Sequence, residues 1–318
     1  MSFKIVGTGS YVPEHIVTND DLTLFLDTSD EWIRSRSGIE QRHVVTNETT
    51  SELATKAAQA ALENAGADVS EIDMILCATV SGEYVSPSVA CMVQHNLGAQ
   101  CPCLDLNAAC TAWIYLMDTA AAFFCKGGIR KMLVIGAESM SRILNWHERS
   151  TCVLFGDGAA AVVLEPGDNY ITSVFQVQGG DDVIAIPTKK GISPWYDRQE
   201  KEPLVHMNGQ ETYKFAVSNF PKRIAEVVEK AGLKQSDVDW VIPHQANKRI
   251  IDGAARRMKD IPADHFCVNI QKYGNTSAAS IPLVLDEWNR AGRFQPGDLI
   301  AMAAFGGGLS SAACLVRW

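Results

Sequence analysis

No apolar run in this 318-residue chain approaches the roughly 18 residues a membrane-crossing helix requires. The opening stretch MSFKIVGTGSYVPE has one lysine, a very short apolar segment and an early proline, which is not the pattern of a secretory signal. Positive charge is short as well. Against 37 Asp and Glu stand 28 Lys and Arg, a net charge of −9, which argues against nonspecific nucleic-acid binding as the main task. There is no low-complexity tract, no P-loop and no HExxH pair. Gly7-Thr8-Gly9 offers half of a dinucleotide fingerprint, but Val12 stands where the third glycine belongs, so that reading fails. The nine cysteines are odd in number and scattered through apolar segments; with no secretion signal they read as reduced thiols of a cytoplasmic protein. Cys101 and Cys103 find no partners at zinc spacing, so no metal site is expected.

What the chain does have is an internal near-repeat. Ala61 to Cys77 (ALENAGADVSEIDMILC) matches Val227 to Pro243 (VVEKAGLKQSDVDWVIP) at an offset of 166 residues. The same offset carries Leu133-Val134 onto Leu299-Ile300 and Cys110 onto Thr276. A duplicated scaffold of two halves, 1–167 and 168–318, follows, joined near Pro166-Gly167-Asp168. In the first half, Thr50-Ser51-Glu52 opens an Ala-rich amphipathic helix that Gly66 stops. DMILCATV, KMLVIG and AAAVVL read as buried strands. The second half repeats the plan with a helix through Pro221 to Ala231, strands at Trp240 to Ile242 and Leu299 to Ala304, and a helix near Thr276. Helices alternating with buried strands predict an α/β fold. Asp181 to Asn208, rich in Pro, Gly and charge, has no counterpart in phase and reads as an inserted loop covering part of a site.

Four places could carry chemistry. Cys110, in DLNAACTAWIYLM, lies between a polar-tipped strand and an apolar helix, where the helix macrodipole favours a thiolate. It could equally be one more core cysteine. His244 follows a strand directly in VIPHQANKRI. Asn275, in KYGNTSAASIPL, could be a ligand or only the cap of the next helix. AFGGG places Gly306, Gly307 and Gly308 after a strand, either as N–H donors to a cavity or as a tight turn.

Taken together, DLNAAC, PHQAN, YGNTSAAS and AFGGG, in this order, resemble the β-ketoacyl-acyl carrier protein synthase III family of the thiolase superfamily. TSDEWIRSRSGIEQRH and ERSTCVLFGDGAAA extend the resemblance over essentially the whole chain. It implies a thiolase-like duplicated five-layered αβαβα fold and no cofactor. Cys110 would take an acyl group from acyl-CoA as a thioester. His244 and Asn275 would stabilise the thioester oxygen while malonyl-acyl carrier protein loses carbon dioxide. The N–H groups of Cys110 and Gly307 would form a second oxyanion hole. Relatives that elongate carrier-bound chains have two histidines, so the asparagine favours the priming enzyme. Trp32 and Arg36 match positions that hold the CoA adenine, and Arg149 one that contacts its phosphates. Lys214, Lys248, Arg249, Arg256 and Arg257, with the Gln245-Ala246-Asn247 segment beside His244, would receive the acidic carrier protein. A homodimer is expected.

Two positions depart from the pattern. Ser86 stands where many relatives carry a phenylalanine that closes the acyl pocket across the dimer, which predicts room for a medium, long or branched starter. Lys189-Lys190 has no predictable effect. The close alternative is a relative serving a secondary pathway. A noncatalytic partner subunit typically lacks the cysteine, and this chain keeps all three polar residues.

Overall fold

The computed structural model describes residues 2–188, 194–195 and 201–318; Lys189-Lys190 lies outside the described residues. Two sheets dominate. The first contains β1 (Ser2–Tyr11), β2 (Met74–Ala78), β3 (Cys103–Leu106), β4 (Met132–Ser139) and β5 (Asp157–Gly167), in the order β1-β5-β4-β2-β3. The second contains β6 (Tyr170–Val177), β7 (Trp240–Pro243), β8 (Leu299–Gly306) and β9 (Ser310–Arg317), in the order β7-β8-β9-β6. The two orders match strand for strand. In each sheet the only parallel pairs are those made by the strand that follows the repeated segment: β2 runs parallel to β3 and β4, and β7 to β8. An isolated parallel bridge between Val241 and Phe266 stands where β3 stands in the first sheet.

Helices form the other three layers. In chain order they are α1 (Asp30–Ser37), α2 (Thr50–Ala65), α3 (Val89–Leu97), α4 (Ala112–Lys126), α5 (Gly209–Lys230), α6 (Lys248–Arg257) and α7 (Ser280–Arg290). Apolar residues of α2 and α3 pack on one face of the first sheet, and those of α5 and α6 on the outer face of the second. Between the sheets lie α4 and α7, in one continuous core with residues of both. Alternation along β4 is apolar on both faces: Leu133 and Ile135 face α2, while Met132 and Val134 face the central layer. A strand covered on both sides has no polar face to show, hence its unbroken apolar run. The five-layered αβαβα arrangement is thus the one expected.

Local chemistry explains the boundaries. Thr49 and Glu52 form a capping box at the start of α2, and Gly66 ends it in the left-handed region at φ 60°. Gly9 lets α2 lie directly on β1, since a Cβ there would fall 2.2 Å from the Ala61 nitrogen. The helix expected from Pro221 in fact begins at Gly209, with the proline inside it. Pro221 cannot donate to the carbonyl of Val217, and the Arg257 guanidinium does so instead at 2.6 Å.

The internal offset also needs correction. Two more residues separate the strands paired at Trp240–Ile300 than those paired at Met74–Met132. Ala109 (φ 48°) and Ser277 (φ 49°), both left-handed, therefore hold the same place at the entry to α4 and α7. The counterpart of Cys110 is Ala278, not Thr276.

Candidate active site

Cys110, His244 and Asn275 meet in one cavity of about 150 Å³, although they are far apart in sequence. Gly306 and Gly307 line it too, and Gly306 is packed tightly: a Cβ there would lie 2.9 Å from both the nitrogen and the Cβ of Cys110. Leu154, Phe155 and Phe305 form apolar walls, and Ile184, Ile186, Val205 and Met207 close one side. These last four belong to the 181–208 segment, so its described part covers the site as expected. A two-stranded ribbon, Ile184–Ala185 with His206–Met207, holds it there.

Cys110 sits in a short 3₁₀ turn, Ala109–Thr111, that leads into α4. The position is the expected helix start, but the expected bias towards thiolate does not prevail. Burial pushes the thiol up to about 11, opposed mainly by the Ser277 hydroxyl, whose oxygen lies 3.5 Å from the sulfur. His244 is 2 % exposed, and burial lowers it to about 3, so its imidazole is neutral at pH 7. Its Nδ1 lies 2.6 Å from the Ser280 hydroxyl. That oxygen also accepts from the Gln245 N–H at 3.4 Å, which directs its own proton to Nδ1. The resulting tautomer carries its proton on Nε2, as a neutral hydrogen-bond donor. Phe305 stands edge-on to the ring with centroids 5.4 Å apart.

Asn275 is not a helix cap; α7 begins without a side-chain cap. Its Oδ1 accepts from the Ser277 N–H at 2.9 Å, which leaves the NH₂ end to serve as donor. Its backbone is tied to the other half, N–H to the Leu154 carbonyl at 2.8 Å and carbonyl to the Gly156 N–H at 3.1 Å. Behind Cys110 and Ser277, Glu138 is fully buried, accepting from Ser81 Oγ at 2.5 Å, Val80 N–H at 3.1 Å and Thr79 Oγ1 at 3.2 Å. Burial raises it to about 7 despite these donors. Glu138, Ser277 and Ser280 escaped the sequence reading; nothing local marks a residue whose partner comes from another strand or helix.

The outer residues divide. The Arg149 guanidinium lies over the Trp32 ring, 4.7 Å from its centroid, and bonds the Asp27 carbonyl. Arg36 is exposed, and its carbonyl accepts from Asn247 Nδ2 at 2.9 Å, joining α1 to the start of α6. Arg249 and Arg256 are exposed on α6, with Arg249 over Tyr213, a cavity-lining ring. Lys214 and Lys248 are exposed but paired, with Glu211 at 2.7 Å and Asp252 at 2.8 Å. Three expected members of a surface patch are otherwise engaged. Gln245 is 1 % exposed; its amide donates to the Pro243 and Cys267 carbonyls and accepts from Asn269 and Ile270 N–H groups. Asn247 caps α6, and Arg257 completes α5. Ala246 lines the cavity. Ser86 is exposed and does not line the cavity; its neighbours Tyr84 and Val85 line an adjoining groove of about 940 Å³. Among the described residues no group of three or more His, Cys, Asp or Glu is placed to hold a metal ion. No described helix is long and apolar enough to cross a membrane.

Comparison with known proteins decides the family. A family model described as 3-oxoacyl-[acyl-carrier-protein (ACP)] synthase III matches residues 104–182, and its C-terminal companion matches residues 228–318. The chain belongs to the 3-oxoacyl-[acyl-carrier-protein] synthase III family. Within that family, the β-ketoacyl-[acyl-carrier-protein] synthase III of Clostridium acetobutylicum is 45% identical over 100% of this chain and 99% of its own. That of Coxiella burnetii is 44% identical over 99% and 98%. The solved 3-oxoacyl-[acyl-carrier-protein] synthase III of Aquifex aeolicus VF5 superposes with a TM-score of 0.92 at 42% identity, covering 99% of this chain and 100% of its own. The priming β-ketosynthase of the R1128 polyketide pathway gives the same TM-score at 32% identity, over 99% and 96%. The family's thiolase-like duplicated fold is the one described above.

Proposed function

We propose that this chain is a β-ketoacyl-acyl carrier protein synthase III. It condenses an acyl-CoA starter with malonyl-acyl carrier protein to begin fatty-acid synthesis. One observation carries the reading: a thiol, a neutral imidazole and a carboxamide share one apolar-walled cavity. The Cys110 sulfur gives up its proton and attacks the acyl-CoA carbonyl, expelling CoA thiolate and leaving an acyl-Cys thioester. The malonyl group then loses carbon dioxide. Negative charge develops on its thioester oxygen, where His244 Nε2–H and the Asn275 NH₂ stabilise it. The carbanion attacks the acyl-Cys carbonyl, whose oxyanion is held by the N–H groups of Cys110 and Gly307. Collapse releases Cys110 and a 3-ketoacyl carrier protein. A neutral histidine suits this step, because it can donate without first losing a competing charge.

The remaining roles are part of the same reading. Trp32, Arg36 and Arg149 receive CoA, with the adenine taking the place of one guanidinium face on the Trp32 indole. Lys214, Lys248, Arg249 and Arg256 receive the acidic carrier protein. The halves 1–167 and 168–318 act as one unit in the cytoplasm. Exposed Tyr84, Val85, Val177 and Leu104, the last on edge strand β3, support a homodimer. The groove beside Ser86 shares Val80, Ala109, Ile184, Ile186 and Gly307 with the cavity, which supports a medium, long or branched starter. The polyketide-priming relative supports a second reading, a condensing enzyme of a secondary pathway.

The test is intact-protein mass spectrometry with a panel of acyl-CoAs, on the native chain and Cys110→Ala, followed by malonyl-acyl carrier protein. A Cys110-dependent mass gain that clears as a 3-ketoacyl product is expected, strongest with a starter longer than acetyl. Acylation without condensation would favour transfer to another acceptor. No adduct at any chain length would overturn the reading.

A further inference from the structure

Cys91 is the third residue of α3, and its N–H donates to the hydroxyl of the N-cap Ser88 at 3.2 Å. Cys103 begins the edge strand β3 beneath that turn, and the two sulfurs are 3.3 Å apart. Two further bonds fix this proximity. The two carboxylate oxygens of Asp105 accept from the N–H groups of Val89 and Ala90, each at 2.8 Å, and clamp the first turn of α3 to β3. Asp105 and Cys103 point to the same face of the strand, so the clamp also sets the register of the thiols. Both thiols are partly exposed, whereas Cys77, Cys101, Cys152, Cys267 and Cys314 are buried. Their chemistry is unequal. The Ser88 hydroxyl, followed by Cys103, lowers the Cys91 thiol, while burial pushes Cys103 up to about 12. An accessible low thiol beside a protonated partner is the arrangement of a peroxide-reactive pair. Cys110 differs on both counts, raised by burial inside its cavity.

We propose that Cys91 and Cys103 form a peroxide-responsive dithiol site that closes to a disulfide while Cys110 stays reduced. The Cys91 thiolate attacks one oxygen of hydrogen peroxide; the O–O bond breaks, hydroxide leaves and a sulfenic acid forms on Cys91. The Cys103 sulfur then attacks the Cys91 sulfur. The sulfenic hydroxyl leaves with the Cys103 proton as water, and the hydroxide takes up the proton that Cys91 had lost. Two thiols are oxidised by two electrons and one peroxide is reduced to two waters. The sulfurs need only close from 3.3 Å to a bond of about 2.05 Å. The link would tie α3 to β3, and with it the 82–85 segment that lines the groove beside the Cys110 cavity.

The test exposes the native chain, Cys91→Ser and Cys103→Ser to increasing hydrogen peroxide with dimedone present, unfolds each sample in iodoacetamide and maps the peptides. The native chain is expected to lose two hydrogens through a Cys91–Cys103 cross-link that a thiol reductant reverses. Cys110 remains alkylated at the dose that cross-links half the molecules. Cys103→Ser stops at a dimedone adduct on Cys91, and Cys91→Ser yields no adduct on Cys103. Oxidation of Cys110 before the pair, or a Cys103 adduct in Cys91→Ser, would overturn the proposal. So would a native chain whose other thiols oxidise with no cross-link.

Discussion

Ala109 and Ser277 make the same left-handed turn in the two halves, and the difference between them divides the labour of the site. In the first half the turn leads into Cys110; in the second it leads into buried Ala278, and the polar groups lie around it instead, on Asn275, Ser277 and Ser280. A left-handed alanine or serine costs on the order of 1–3 kcal/mol, so each turn is held by its surroundings and not by its own preference. Repetition supplied the backbone geometry twice. Substitution then placed a nucleophile on one copy and neutral donors on the other, with Ser277 Oγ reaching back to within 3.5 Å of the Cys110 sulfur.

The largest effect on this comparison comes from emptying the second half alone. His244→Ala and Asn275→Ala are each expected to slow condensation by about 10²–10³-fold. The acyl-CoA mass gain on Cys110 persists, so trapped acyl-enzyme should accumulate in both variants; loss of acylation as well would mean that the halves do not divide the work. Gly306→Ala forces the contact between β8 and the Cys110 turn, where an added Cβ meets the Cys110 backbone at 2.9 Å. A loss of about 1–3 kcal/mol in denaturant unfolding is expected, with slower acylation. Ser280→Ala removes the group that fixes the His244 tautomer. Condensation should fall by roughly tenfold while acylation holds, and Ser280→Thr should restore part of it.

The smallest effect is a pH dependence of opposite sign in the two halves. Glu138, raised by burial to about 7, contributes stability that is fully present below its unfolded value of 4.5 and is lost as pH rises through 7. His244, lowered by burial to about 3, contributes stability that is present above 6.5 and is lost as pH falls through 3. In Glu138→Gln, unfolding free energy should lose its decline between pH 4.5 and 7 and keep the acid-side fall. An unchanged profile would show that Glu138 is not protonated on folding.

Much of the scaffold was legible because its signals are local. The Thr49–Glu52 box, the Gly66 stop and the unbroken apolar strands each declare themselves within a few residues. Strand β1 was not, since Gly7 and Gly9 read as a failed nucleotide motif while serving close packing against α2. The first turns of α5 were hidden by Pro221, because its rescuer Arg257 lies 40 residues away. The cavity residues stood out through their resemblance to a family; their supports did not. Ser280 bonds a histidine 36 residues distant, and Gln245, polar beside His244, looks like surface until its four hydrogen bonds are counted.

The backbone of Asn275 has a further consequence. Its N–H and carbonyl both bond across the boundary between the halves, to Leu154 and Gly156, and its side chain is only 6 % exposed with the residue. That amide proton can reach solvent only when the two halves part, so its hydrogen-exchange rate is a gauge of their separation. A single amide would then register, at equilibrium and without substrate, how often the catalytic assembly comes undone.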